Sequence, residues 1–78
     1  MTVHQITQQV DARGLSCPMP IVRTAQAMKT LPSGAVIEVL ATDPGSVKDF
    51  AAWSRATGNE LLESTVDEAI YRFVILRK

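Results

Sequence analysis

Along residues 5–12 the apolar side chains Ile6, Val10 and Ala12 fall on one parity, a pattern that predicts a short half-buried strand running into the turn Arg13-Gly14-Leu15. The period then changes. Across residues 18–31, Ile21, Val22, Ala25, Met28 and Leu31 recur at helical spacing, and Pro32-Ser33-Gly34 supplies stop chemistry. Residues 35–42 are β-branched and apolar on both parities apart from Glu38, as expected of a central strand. Asp43-Pro44-Gly45-Ser46 is turn chemistry with a capping residue. Val47, Phe50, Ala51 and Ser54 then mark one face of a second helix that runs to Thr57 and is closed by Gly58. Phe50 and Trp53 fall one turn apart, which assigns Trp53 to the core in preference to a cofactor site.

Residues 60–66 and 69–76 read as two strands separated by Asp67-Glu68, a gap short enough for an antiparallel hairpin. The order is βαβαββ. The last strand is apolar on both parities, with Tyr71, Phe73 and Ile75 on one and Ile70, Val74 and Leu76 on the other, so it belongs in the interior of the sheet. A helix joining parallel strands crosses over right-handed, but whether the two helices share a face depends on strand order, which the pattern leaves open. The sheet face left uncovered by helices, apolar on both parities in residues 35–42 and 69–76, is a surface for a partner or a second copy.

Seventy-eight residues make a single domain, residues 1–78, near the lower size at which one core holds without disulfides or metal. An apolar fraction of 46% and a charged fraction of 21% describe an ordinary globular chain. Eight basic and eight acidic residues cancel, and no Lys or Arg stripe offers the attraction on which nonspecific nucleic-acid binding depends. A direct nucleic-acid role is not expected. The N-terminus lacks the basic start and apolar stretch of a signal peptide, and no run reaches the roughly eighteen apolar residues of a membrane span. A cytoplasmic protein is expected, in a reducing compartment that suits an unpaired thiol.

That thiol is Cys17, the only cysteine, in Ser16-Cys17-Pro18-Met19-Pro20. Proline after it disfavours the α region for Cys17, while Pro18 suits a first helical position and Pro20 tolerates its missing N–H at the third. Cys17 is therefore expected at the helix N-cap, with its sulfur beside the amides of Met19 and Ile21 and the positive end of the helix. Such a setting lowers a cysteine pKa from about 8.5 toward 7. The bland alternative is a small buried residue at a strand-to-helix junction. One cysteine permits neither an internal disulfide nor a Cys-x-x-Cys couple, and with His4 as the sole histidine a cysteine-rich zinc site is excluded. The remaining role is a thiol that hands its cargo to another molecule.

Arg13 and Arg23 flank the cysteine, and a cation near the sulfur would favour its anion; Arg13 is the better candidate, since the helical phase of Arg23 turns it toward solvent. Asp11 is placed either to orient Arg13 or on the solvent side of the strand. Met19 is either a cap contact or an exposed apolar docking surface. His4 is read as a surface residue near a frayed terminus. Asp43, Asp49, Glu60 and Glu63 form no pair that spacing alone would bring together, and there is no Gly-rich phosphate loop or metal-ligand cluster. Neither cofactor nor metal is expected.

The run Asp11-Ala12-Arg13-Gly14-Leu15-Ser16-Cys17-Pro18-Met19-Pro20 resembles the signature of the TusA/SirA-like sulfur-carrier family, whose hallmark is Cys-Pro-x-Pro opening the first helix. The likeness extends through Asp43-Pro44, Asp49, Trp53, Gly58, Glu60-Leu61-Leu62 and Tyr71-Arg72-Phe73, nearly the whole chain. It implies an α/β (α+β) two-layer sandwich with both helices on one face of a four-stranded mixed sheet. It also implies a sulfurtransferase-type carrier that holds sulfane sulfur on Cys17 as a persulfide, with Arg13, Pro18, Met19 and Pro20 in support. The implied donors are a cysteine desulfurase, a rhodanese-like protein or a DsrE-like protein, and the acceptor is a protein with a reactive cysteine, in transfer-RNA thiolation, cofactor sulfuration or sulfur oxidation. Two departures bear on the partner: Asn59 stands where many relatives have histidine, and Met19 where many have an acidic residue. Two other classes compete, a noncatalytic regulatory interaction module in which Cys17 is only a helix cap, and a thiol redox enzyme needing an outside resolving thiol.

Overall fold

The computed structural model describes residues 5–78, and the reading of His4 lies outside them. The chain forms β1 (Gln8–Ala12), α1 (Met19–Met28), β2 (Val36–Ala41), α2 (Ser46–Thr57), β3 (Glu60–Asp67) and β4 (Ile70–Leu76), the βαβαββ order of the hydrophobic pattern. The sheet order is β1-β2-β4-β3. β1 lies parallel to β2, and β4 runs antiparallel to both β2 and β3, so the sheet is mixed and both β2 and β4 are interior. Met28 of α1 and Phe50 of α2 join Val10, Ala12, Ile37, Val39, Ala41, Phe73 and Ile75 in one buried cluster. Both helices therefore pack on the same face, and the molecule is an α+β two-layer sandwich. Phe50 is the keystone of that layer: it stacks on Phe73 at 4.5 Å and meets Trp53 edge-on at 6.0 Å, which places Trp53 against the core.

Element boundaries depart from the pattern in instructive ways. β1 begins at Gln8, three residues later than the alternation suggests. α1 ends at Met28, and the amides of Thr30 and Leu31 reach back three residues to the carbonyls of Ala27 and Met28 at 3.2 and 3.1 Å, a tightened last turn that satisfies helix-end carbonyls. The buried stripe of α1 is Pro20, Thr24 and Met28, so Val22, about 200° round the helix from Pro20, is exposed. Val47 at the head of α2 is exposed as well. The hairpin turn is Glu68-Ala69, one residue beyond the expected gap, because Asp67 pairs with Ile70 across it. Both turn residues have positive φ, 49° and 65°, the geometry that lets a two-residue turn follow the twist of its strands.

The face away from the helices is not the open apolar surface that strand composition suggested. Gln9 of β1 donates to Glu38 of β2 at 2.6 Å, Arg72 of β4 donates to Glu38, and the same guanidinium reaches Glu63 of β3 at 3.3 Å. One side chain from each strand thus joins a polar lattice across the sheet. Val74 is fully buried although it points to this face, where Glu38 and Glu63 are its register partners and Arg72 its neighbour two residues back. The aliphatic stems of those charged residues account for its cover.

Candidate functional site

Because β1 and β2 are parallel neighbours, their carboxyl ends emerge side by side, with Ala12 opposite Ala41. The loop after β1 leads to α1 and carries Cys17; the loop after β2 leads to α2 and carries Asp43. Pairing continues beyond the strands. Gly14, whose φ of 80° suits a glycine, donates its amide to Thr42 Oγ1 at 2.9 Å, and the Cys17 amide donates to Asp43 Oδ2 at 2.8 Å. The other oxygen of Asp43 accepts from the Gly45 amide at 3.2 Å. One carboxylate therefore ties the cysteine loop to the start of α2.

Cys17 is exposed and free, which disposes of the buried-residue alternative. It is not the cap of α1. Met19 donates its amide to the Ser16 carbonyl at 2.9 Å, closing a turn across Cys17 and Pro18, and Pro18 (φ −98°, ψ 15°) occupies the cap position. The peptide bond between Cys17 and Pro18 is cis. Pro20 is then the second helical residue and is buried, while Pro18 and Met19 are exposed beside the thiol. Since the Met19 amide is committed to Ser16, the pair of helix-start amides expected to face the sulfur is reduced. Met19 is 39% exposed next to the thiol in the chain, and Val22 of α1 and Val47 of α2 are exposed as well.

The charge around the sulfur is the reverse of the expected one. The Cys17 thiol pKa is pushed up, first by the Asp49 carboxylate as a hydrogen-bonding neighbour, then by partial desolvation and the charges of Asp49 and Asp43. A full negative charge nearby outweighs the half charge of a helix terminus. Asp49 sits in the first turn of α2, where its amide donates to the Gly45 carbonyl at 3.1 Å, so the turn that Asp43 anchors also positions Asp49. Arg13 does not counter these carboxylates. Its Nε and Nη2 donate to Asp11 at 2.9 and 3.0 Å, and the pair holds the Asp11 carboxyl well down, at about 2, first through the side-chain hydrogen bond. Of the open readings of Asp11, the one in which it orients Arg13 holds. Arg23 is exposed.

Asp43 and Asp49 are the residues that sequence reasoning left out, because they are brought to Cys17 by strand pairing and not by spacing. A signal existed in Asp43 directly after a strand predicted to be central. Asn59 lies at the far end of α2, about 15 Å along its axis from Asp49, where Oδ1 accepts the Lys78 amide at 2.8 Å. Asn59 is thus remote from the thiol, whereas Met19 is beside it in the chain. No group of three or more histidine, cysteine or acidic side chains that could hold a metal occurs among the described residues.

Comparison with known proteins bears on the same residues. Residues 8–77 match the family described as Sulfurtransferase TusA. The chain is 50% identical over 68 residues to the sulfur carrier protein TusA of Allochromatium vinosum, covering 87% of this chain and 90% of that one. It is 53% identical over 66 residues to the putative sulfur carrier protein YrkI of Bacillus subtilis, covering 85% and 88% of the two. In fold it is similar to the crystal structure of a SirA-like protein from Desulfitobacterium hafniense, with a TM-score of 0.78 at 24% identity over 90% of this chain and 96% of that one.

Proposed function

The chain belongs to the TusA sulfurtransferase family, and from that premise we propose that Cys17 is the atom-bearing site of a sulfur carrier: it accepts sulfane sulfur as a persulfide from one protein and delivers it to another. The observation that carries the assignment is that the only cysteine of the chain is solvent-exposed on the loop where two parallel strands end and both helices begin. Loading is attack by Cys17 Sγ on the outer sulfur of a donor persulfide; delivery is attack by an acceptor thiolate on the outer sulfur held by Cys17. Each step exchanges one sulfur–sulfur bond for another and consumes no oxidant.

Pro18 and Met19 border the thiol, Pro20 seats the helix behind it in the core, and the Arg13–Asp11 pair fixes the loop at its root. The donors that fit are a cysteine desulfurase, a rhodanese-like protein or a DsrE-like protein, and the acceptor is a protein with a reactive cysteine. Residues 1–78 act as one carrier domain in the cytoplasm. Among the described residues no helix is long and apolar enough to cross a membrane. The competing reading of Cys17 as a structural cap has less support, since Pro18 occupies the cap.

The test is intact mass after incubation with thiosulfate, or with a cysteine desulfurase and cysteine, followed by reductant. Wild type gains one sulfur that reductant removes, and Cys17→Ser gains none. Absence of a gain with several donors would overturn the assignment.

A further inference from the structure

The loop that carries Cys17, residues 13–18, has little to hold it in place by itself. Arg13, Gly14, Ser16, Cys17 and Pro18 are exposed, and only Leu15 packs against the core. The local hydrogen bonds run from the Arg13 amide to Asp11, from the Leu15 amide to the Ala12 carbonyl and from the Met19 amide to the Ser16 carbonyl. They shape turns without fixing where those turns sit on the sheet. Among the described residues, two bonds alone tie the loop to anything beyond β1 and α1. The Gly14 amide donates to Thr42 Oγ1 at 2.9 Å, and the Cys17 amide donates to Asp43 Oδ2 at 2.8 Å. Thr42 and Asp43 are consecutive and directly follow β2, so both acceptors are extensions of an interior strand. Asp43 is braced in turn, since its Oδ1 accepts the Gly45 amide at 3.2 Å and its carbonyl the Ser46 amide at 3.0 Å.

We propose that Thr42 and Asp43 are positioning residues for sulfur transfer: they clasp the Cys17 loop to the end of β2, so that the thiol is presented to a docked partner in one place. The proposal deepens the carrier reading and rests on it. Gly14, Cys17 and Thr42 are exposed and Asp43 is half-buried, so water can replace each partner once it is lost, and the bonds add little to stability. Water cannot hold the loop in place. Attack of one sulfur on another across two docked proteins requires both atoms to be held at bonding approach by their own folds, and a misplacement of about 1 Å in such a step costs roughly 10²-fold in rate. A small electrophile reaches an exposed thiol from any open direction and makes no such demand. The two residues also differ in kind. Thr42 contributes position alone, because its hydroxyl is uncharged, whereas Asp43 contributes position together with a charge.

The discriminating pair of variants is Thr42→Val and Thr42→Ser, which remove and keep the hydroxyl without altering any charge near Cys17. Three quantities are read on each and on wild type. They are the exchange of the Gly14 and Cys17 amide protons with water by NMR, the alkylation rate of Cys17 by iodoacetamide, and the single-turnover rate of persulfide formation from a cysteine desulfurase preloaded with cysteine, followed by intact mass. Thr42→Val is expected to speed exchange at Gly14 by up to about tenfold, the worth of one neutral hydrogen bond. Sulfur loading should slow by about tenfold or more, while alkylation stays at the wild-type rate. Thr42→Ser restores both exchange and loading. Asp43→Ala should speed exchange at Cys17 and slow loading further; if it does not fold, the Thr42 pair decides alone. Loss of structure would move alkylation as well and show in a thermal melt, so slower protein-to-protein transfer by an unchanged thiol is specific to position. A folded Thr42→Val that loads as fast as wild type overturns the proposal, as does a Thr42→Ser that loads as slowly as the valine variant. Failure of the carrier reading looks different: wild type itself then takes no sulfur from any of the donors, and the positioning role falls with it.

Discussion

At Cys17 the amide is held by Asp43, and the carboxylates of Asp49 and Asp43 push the thiol pKa up, so the ionisation of this residue is set by the β2–α2 side and not by the helix it precedes. The neighbours of Cys17 in sequence, two prolines and an arginine, point the other way, toward an easily formed thiolate. Charge decides between them: the carboxylates of Asp49 and Asp43 carry full charges, while a helix terminus contributes about half a charge and Arg13 is committed to Asp11. A second residue near this junction carries a testable imbalance. Ser46, the first residue of α2, is 1% exposed, and its Oγ has no hydrogen-bond partner among the described residues. A buried hydroxyl without a partner opposes folding, and alanine is the better helix former. Ser46→Ala is expected to raise stability by about 1 kcal/mol in urea unfolding, with an unchanged slope; a loss of stability would show that the hydroxyl is satisfied.

The elements were legible in type and order because the period of apolar residues is a local property of the chain, whereas their ends were set by pairing. The clearest case is the β3–β4 hairpin. Neither Asp67-Glu68 nor Glu68-Ala69 carries the glycine or asparagine that marks a tight turn, and the pairing of Asp67 with Ile70 selects the second, placing Glu68 and Ala69 at φ 49° and 65°. Left-handed backbone costs non-glycine residues of order 1–2 kcal/mol each, less where the turn type favours it. Glu68→Asn with Ala69→Gly is therefore expected to stabilise the fold by roughly 1–2 kcal/mol, seen as a higher melting temperature. An unchanged or lower Tm would mean the turn is not strained. The register of β3 shifts between Leu61 and Glu63, and this irregularity was invisible in the sequence. Its effect is to turn Glu63 to the outer face, opposite Val74 and within reach of Arg72, where strict alternation would have placed it on the face of Leu61. α2, by contrast, ends where composition says it should, at Gly58 with φ 81°.

Across the whole molecule, the helix layer seals one face of the sheet and the lattice of Gln9, Glu38, Arg72 and Glu63 finishes the other, joining all four strands. Glu38, with its side chain 16% exposed, is held below the usual carboxylate range, first by the Gln9 amide and then by Arg72. A carboxylate whose pKa is depressed on folding contributes stability above its unfolded value, about 4.3, and loses it as pH falls through the lower folded value. Arg72→Met, which keeps the stem over Val74, is expected to lose about 1–2 kcal/mol at pH 7 and distinctly less at pH 3, compared by urea unfolding at the two pH values. Equal losses at both would exclude a charge effect. The sequence by itself determined the order of the elements, the two interior strands, the aromatic core and the single thiol in its Cys-Pro-x-Pro setting, because these depend on spacing over a few residues and on the identity of side chains. Tertiary structure alone decided the strand order and with it the shared face of the helices, the polar closure of the outer face, and the acidic character of the site. The physical reason is the same in each case. Asp43 reaches Cys17 across 26 residues of chain only because β1 and β2 lie parallel and adjacent, and an electrostatic environment belongs to whatever the fold brings within a few ångströms, irrespective of separation along the chain.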